Sequence, residues 1–135
     1  YHQTLYKNIQ THPKRNQVLW VDFQTDMALI YSAADAVIMA ADQETVGMVT
    51  IEALKFACPV VGANNGGTKE LLETYGGGLC FRSLDQDDLN LKLDIVLHGA
   101  TPTTQQAAFE QHFDFHNVCA QVETEVLGLE APIFQ

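Results

Sequence analysis

Four short apolar runs, separated by longer segments of helical period, constrain this chain more than any other feature. Residues 17–21, 36–40, 59–63 and 79–82 are near-continuous apolar runs rather than alternating ones. That pattern reads as strands buried on both faces. Pro59 opens its run, where no ladder donor is needed. Between the runs, apolar residues recur at helical spacing. Met27, Ile30 and Tyr31 follow a cap at Thr25 or Asp26, and Ile51 and Leu54 point inward from a helix over 47–56. A helix over 68–74 follows the turn Asn64-Asn65-Gly66-Gly67, and Gly76-Gly77-Gly78 turns the chain again. Leu89, Leu93, Val96 and Leu97 face inward over 85–97. An opening helix carries Leu5, Tyr6 and Ile9 and stops near His12-Pro13; a long helix or a kinked pair covers 104–127. This alternation predicts an α/β, Rossmann-like, mostly parallel sheet of about four strands with helices on both faces.

In such open sheets the ligand sits beyond the carboxyl ends of the strands. The loops 22–26, 41–47 and 64–68 fall on that rim by this assignment. Within 40–70, Glu44 and Glu52 stand eight positions apart. On mostly helical backbone this separates the carboxylates by ~12 Å along the axis. Between them Gly47 opens a helix, whose first free N–H groups attract anions. An ionised acid offers only acceptors, so two acids flanking an anion-binding helix start suit a sugar–diphosphate–ribose ligand. Spacing alone favours a plainer reading, with Glu44 as an acid near a helix N-terminus and Glu52 as a solvated neighbour of Lys55.

The surrounding residues shift that balance. The run Glu44-Thr45-Val46-Gly47-Met48-Val49-Thr50-Ile51-Glu52-Ala53-Leu54, then Pro59-Val60-Val61, Gly66-Gly67 and Glu70, resembles the donor-binding segment of the glycosyltransferases of family four. Tyr31-Ser32-Ala33-Ala34-Asp35-Ala36 is similar to that family's helix-to-strand junction, and the resemblance runs over about 18–97. It implies that 1–135 is part of the C-terminal, donor-binding domain of a two-domain GT-B enzyme. The reaction implied is metal-free transfer, with retention, from a nucleotide diphosphate sugar to an acceptor hydroxyl. Glu44 is then the catalytic-centre residue, contacting donor-sugar hydroxyls, and no side chain is nominated as nucleophile. Glu52 receives the ribose hydroxyls, while backbone N–H groups at Gly47, Met48 and Val49 approach the diphosphate and nucleotide. Gly66 and Gly67 either admit the donor to the backbone or form a plain tight turn. Asp22, Phe23 and Thr25 lie in the loop nearest the base. The family usually has an aromatic residue at Val46, a Pro-Ser pair near Ala40-Ala41, a Gly at Ala57 and a Gly at Asp22, so donor identity stays open.

The same resemblance implies an Arg and a Lys that clamp the diphosphate, two further strands and the acceptor domain, all before Tyr1. The chain is therefore expected to be a fragment that binds donor weakly and transfers nothing alone. With the usual strand order 3-2-1-4-5-6, the runs 17–21 and 36–40 lack intervening partners, so a homodimer or swapped sheet is expected. The acceptor, a sugar, glycan or lipid-linked hydroxyl, is expected to engage the other domain, within polysaccharide biosynthesis. The location implied is cytoplasmic, peripheral to a membrane through that domain if at all. A non-catalytic nucleotide-binding module and a nucleotide-sugar epimerase of related fold stay open as alternatives.

Composition narrows the rest. Seven basic against seventeen acidic residues give a formal charge of -10, which argues against nucleic acid or an anionic membrane as the main partner. No apolar run approaches the ~18–20 residues that cross a bilayer, and the start shows no secretory pattern. Cys58, Cys80 and Cys119 are odd in number and widely spaced, and they read as reduced, packed thiols. His112 and His116 have helical i, i+4 spacing but no third ligand, so no metal and no cofactor are expected. Gly66-Gly67-Thr68-Lys69 lacks the full phosphate-loop pattern.

Overall fold

The computed structural model describes residues 2–99, 101, 103–114 and 117. In chain order the elements are α1 (His2–Thr11), a 3-10 turn (Arg15–Gln17), α2 (Met27–Ala33), β1 (Val37–Met39), α3 (Met48–Lys55), β2 (Val60–Ala63), α4 (Gly66–Tyr75), β3 (Gly78–Phe81), α5 (Gln86–Leu97) and α6 (Gln106–Phe113). The strands form one parallel sheet in the order β1-β2-β3, with Val37 opposite Val60 and Val60 opposite Gly78.

Central β2 is buried at every position. Its alternate side chains serve two cores. Val60 joins Leu54, Leu71, Leu72, Tyr75 and Phe109 on one face, while Val61 and Ala63 pack with Phe81 and Val96 on the other. Helices α3, α4 and α6 thus cover one face and α5 the other, as a buried parallel sheet requires. Leu89, Leu93 and Val96 turn toward the second core. Leu97 was expected there too but is 53% exposed, because the next residue on a helix lies ~100° around the axis. The α4–β2 contact is close: a Cβ on Gly62 would meet Thr68 Cγ2 at 2.3 Å.

Local signals place the helix ends. Asp26 caps α2 by accepting from Leu29 N–H at 3.4 Å, and Asp85 caps α5 by accepting from Asp88 N–H at 2.9 Å. Asp88 in turn accepts from Arg82 N–H at 2.8 Å, and that hydrogen bond holds its carboxyl below the usual carboxylate range. Helix α3 ends in a Schellman turn, with Ala57 N–H on Leu54 O at 3.0 Å and Cys58 N–H on Ala53 O at 2.9 Å. Ala57 occupies the left-handed position of that turn at φ 53°, where glycine is usual.

Two expectations need correction. Residues 17–21 form no strand: among the described residues three strands pair, Gln17 closes the 3-10 turn, and 18–21 carry no regular secondary structure, with Leu19 84% exposed. A strand needs a neighbour ~4.8 Å away to complete its ladder, and no ladder among the described residues includes this run. Trp20 instead meets Tyr6 of α1 edge to face at 5.9 Å. A single helix over 104–127 does not form, since α6 ends at Phe113 and Asp114 leaves the helix; beyond it Asn117 is again helical, and His116, Cys119 and the remaining positions to 127 lie outside the described residues. Cys58 is buried and its thiol donates to Ala34 O at 3.5 Å, while Cys80 is half-buried. Desolvation raises the pKa of both thiols.

Candidate functional site

Three loops leave the carboxyl ends of the sheet: 40–47 after β1, 64–65 after β2 and 82–85 after β3. Asn65 fastens them together. Its Nδ2 donates to Ala41 O at 3.1 Å and to Ser83 Oγ at 3.0 Å, while its Oδ1 is buried with no partner among the described residues. The sequence marked Asn65 only as a turn residue, since nothing local announces a bond across 18 or 24 positions.

Glu44 and Gly47 close the first of these loops onto α3. Gly47 sits at φ 75°, in the left-handed region, and its N–H donates to Glu44 Oε1 at 3.0 Å. The expected helix entrance is therefore present, and in this structure Glu44 satisfies its first donor. Helix geometry leaves the N–H groups of Met48 and Val49 without a carbonyl one turn earlier, and both residues are exposed. Thr50, a turn deeper, is fully buried and shares a hydrogen bond of 2.9 Å with the equally buried Thr68 of α4.

Glu52, also on α3, is half-buried and does not pair with Lys55. Its Oε2 accepts from Tyr31 Oη at 2.7 Å. Tyr31 comes from α2, is 4% exposed and stacks on Phe56 with centroids 5.9 Å apart. Burial, reinforced by Glu52, pushes its phenol up to about 12. Each glutamate thus uses one oxygen within the protein. Glu44 Oε2 and Glu52 Oε1 accept nothing among the described residues.

Gly66 and Gly67 have a use that local sequence did not reveal. A Cβ on Gly66 would lie 1.6 Å from Glu44 O, and one on Gly67 would lie 2.4 Å from Val46 C. Gly67 N–H donates to Glu44 O at 3.2 Å. The two glycines admit the backbone of the 44–46 loop. Asp22, Phe23 and Thr25 are all exposed, with Phe23 at 90%. Asp22 lines an open groove with Gln3, Tyr6, Lys7 and Trp20, and no hydrogen bond or ion pair joins these loop residues to Glu44 or Glu52.

Cavities flank the 40–47 loop on both sides. One of about 220 Å³ lies over the strand ends, walled by Ala40, Asp42, Ala63, Phe81, Ser83 and Leu84. Another of about 410 Å³ lies between α3, α4 and α6, with Thr45, Val46, Glu70, Thr74, His112 and Phe113 in its wall. Neither wall includes Glu44 or Glu52, which stand on the open surface of α3 and its entrance. Among the described residues no group of three or more metal-capable side chains gathers, and no helix is long and apolar enough to cross a membrane.

The family model of "Glycosyl transferases group 1" matches residues 1–111. The chain belongs to the group 1 glycosyl transferases. Among proteins of this kind, the chain is similar to sulfoquinovosyl transferase SQD2 of Arabidopsis thaliana, 33% identical over 76 residues, which are 54% of this chain and 15% of that protein. Its fold matches Anabaena Alr3699/HepE solved with UDP, at TM-score 0.82 and 26% identity over 96% of this chain and 37% of that one. The same protein solved with UDP-glucose matches at TM-score 0.81 and 27% identity, again over 96% and 37%. This group 1 chain therefore spans well under half the length of the relatives it matches.

Proposed function

We propose that residues 1–135 form part of the donor-binding domain of a retaining, family-four glycosyltransferase of GT-B architecture. Its donor is a nucleotide diphosphate sugar and its acceptor a hydroxyl of a sugar, glycan or lipid-linked sugar, engaged by a second domain. The observation that carries the reading is the arrangement at α3. Two half-buried acids, each with one oxygen uncommitted, stand on either side of a helix entrance whose Met48 and Val49 are exposed. Glu44 accepts from donor-sugar hydroxyls through its uncommitted oxygen, Glu52 accepts from the ribose, and the N–H groups at Met48 and Val49 face the diphosphate, with Gly47, whose own N–H is held by Glu44, turning the chain beside them. Gly66 and Gly67 serve the donor indirectly, by seating the loop that carries Glu44. Asp22, Phe23 and Thr25 form the side nearest the base. Charge grows on the departing diphosphate in the transition state, so fixed N–H donors there lower the barrier, and no side-chain nucleophile is needed. The UDP-bound and UDP-glucose-bound relatives support this donor class.

A helix end supplies only about half a unit of positive charge, so this chain by itself holds a diphosphate weakly. Titration with UDP and UDP-glucose tests the reading. Glu52→Ala should weaken both ligands, whereas Glu44→Ala should weaken UDP-glucose and spare UDP. Nucleotide that perturbs the two flanking cavities but not α3 would sink the assignment, and submicromolar affinity or turnover would refute weak binding. The outer edge of β1, where Ile38 is 46% exposed, supports pairing with a further strand. Sedimentation at rising concentration tests whether a second copy supplies it.

A further inference from the structure

We infer that Tyr31 is a positioning residue for Glu52, fixing the carboxylate that reads the ribose; the inference rests on the donor-site reading above. The contact spans 21 residues and joins α2 to α3 through one hydrogen bond of 2.7 Å. Its direction is chemically determined, since an ionised carboxylate can only accept and the phenol must donate. The ring itself has little freedom. It is 4% exposed, packs among Leu54, Cys58 and their neighbours, and lies nearly parallel to Phe56 at 13°. A glutamate on a helix surface ordinarily samples several rotamers. Here Oε2 is pinned to a rigid donor, which leaves Oε1 in one place to meet a ligand hydroxyl. Burial also keeps the phenol protonated far above neutral pH, so the donor persists wherever nucleotide binds.

The sequence holds the signal in the Tyr31-Ser32-Ala33-Ala34-Asp35-Ala36 junction, where Tyr31 looks like one more apolar helix position. Its hydroxyl is the feature that a purely packing role leaves unused. Removing that hydroxyl should leave the ring in place and free the carboxylate.

The experiment measures UDP against 2′,3′-dideoxy-UDP, by NMR titration to 10 mM for the wild-type chain, Tyr31→Phe and Glu52→Gln. Tyr31→Phe should lose about five- to tenfold in UDP affinity, the scale of one hydrogen bond to a charged group, and keep its dideoxy-UDP affinity. An equal loss for both nucleotides, or none, overturns the positioning role. If Glu52→Gln leaves the UDP to dideoxy-UDP ratio untouched, or UDP leaves the wild-type spectrum unchanged, the donor-site reading itself fails. A collapsed ratio in Glu52→Gln with an intact one in Tyr31→Phe overturns only the present inference. The wild-type chain gives a second test that does not depend on a variant folding. The 13Cζ resonance of Tyr31 should move with UDP and stay still with dideoxy-UDP, and an equal response to both would count against the role.

Discussion

Helices α3 and α4 both begin at a glycine with positive φ on the same rim of the sheet, yet their entrances differ. At α3, Gly47 turns the chain and the next two residues are exposed. At α4, Gly66 and Gly67 are covered by the backbone of the 44–46 loop, and Gly67 N–H is already satisfied by Glu44 O. Glu44 takes part in both: its side chain accepts at α3 and its main-chain carbonyl accepts at α4. The difference shows that a glycine-rich helix start is not by itself an anion site. What matters is whether another segment has already occupied it.

The comparison can be broken most severely at Gly66. Gly66→Ala places a Cβ 1.6 Å from Glu44 O at φ 51°, so the loop must move. Chemical denaturation should show a loss of more than about 3 kcal/mol, with α3 and α4 separating. An alanine tolerated within about 1 kcal/mol would mean that the loop is not seated as described.

The buried hydroxyl pair beneath the two entrances is next. Thr68→Val keeps the shape and strands the Thr50 hydroxyl, which should cost about 2 kcal/mol in the same measurement. The double variant Thr50→Val/Thr68→Val should recover part of that loss, because no polar group then remains unpaired.

A smaller effect sharpens the contrast. Glu44→Ala deletes the side-chain bond at Gly47 but leaves the carbonyl that serves Gly67. It should destabilise by about 1 kcal/mol, the scale of a lost cap. Amide exchange should quicken at Gly47 and hold at Gly67; equal acceleration at both would show that the side chain carries both entrances. At the far end of α3, Ala57→Gly relieves the left-handed strain at φ 53° and should raise stability by about 0.5 kcal/mol, part of the relief being offset by the freer unfolded chain.

Several features were legible before any coordinates. The runs 36–40, 59–63 and 79–82 hold strands of one parallel sheet, because continuous apolar stretches between helical segments leave few other ways to bury both faces. Of the two caps offered at Thr25 or Asp26, Asp26 is the one used, since its side-chain oxygen meets a free N–H within its own turn. Ala57 was marked by its departure from the usual glycine, and it does occupy the left-handed position. The run 17–21 is nearly as apolar as its counterparts yet joins no ladder among the described residues.

Sequence by itself determined where this chain turns, which segments are apolar, and that two acids flank a helix start. Those properties are set by each residue and its neighbours within a few positions. Tertiary structure decided which donors each acid meets: Tyr31 for Glu52, Gly47 for the Glu44 side chain, and Gly67 for the Glu44 carbonyl. It also decided that Asn65 ties three loops and that Gly66 and Gly67 yield to another strand of backbone. Most of these contacts join residues some twenty positions apart, and their partners are chosen by how helices pack across the sheet, which no local pattern encodes.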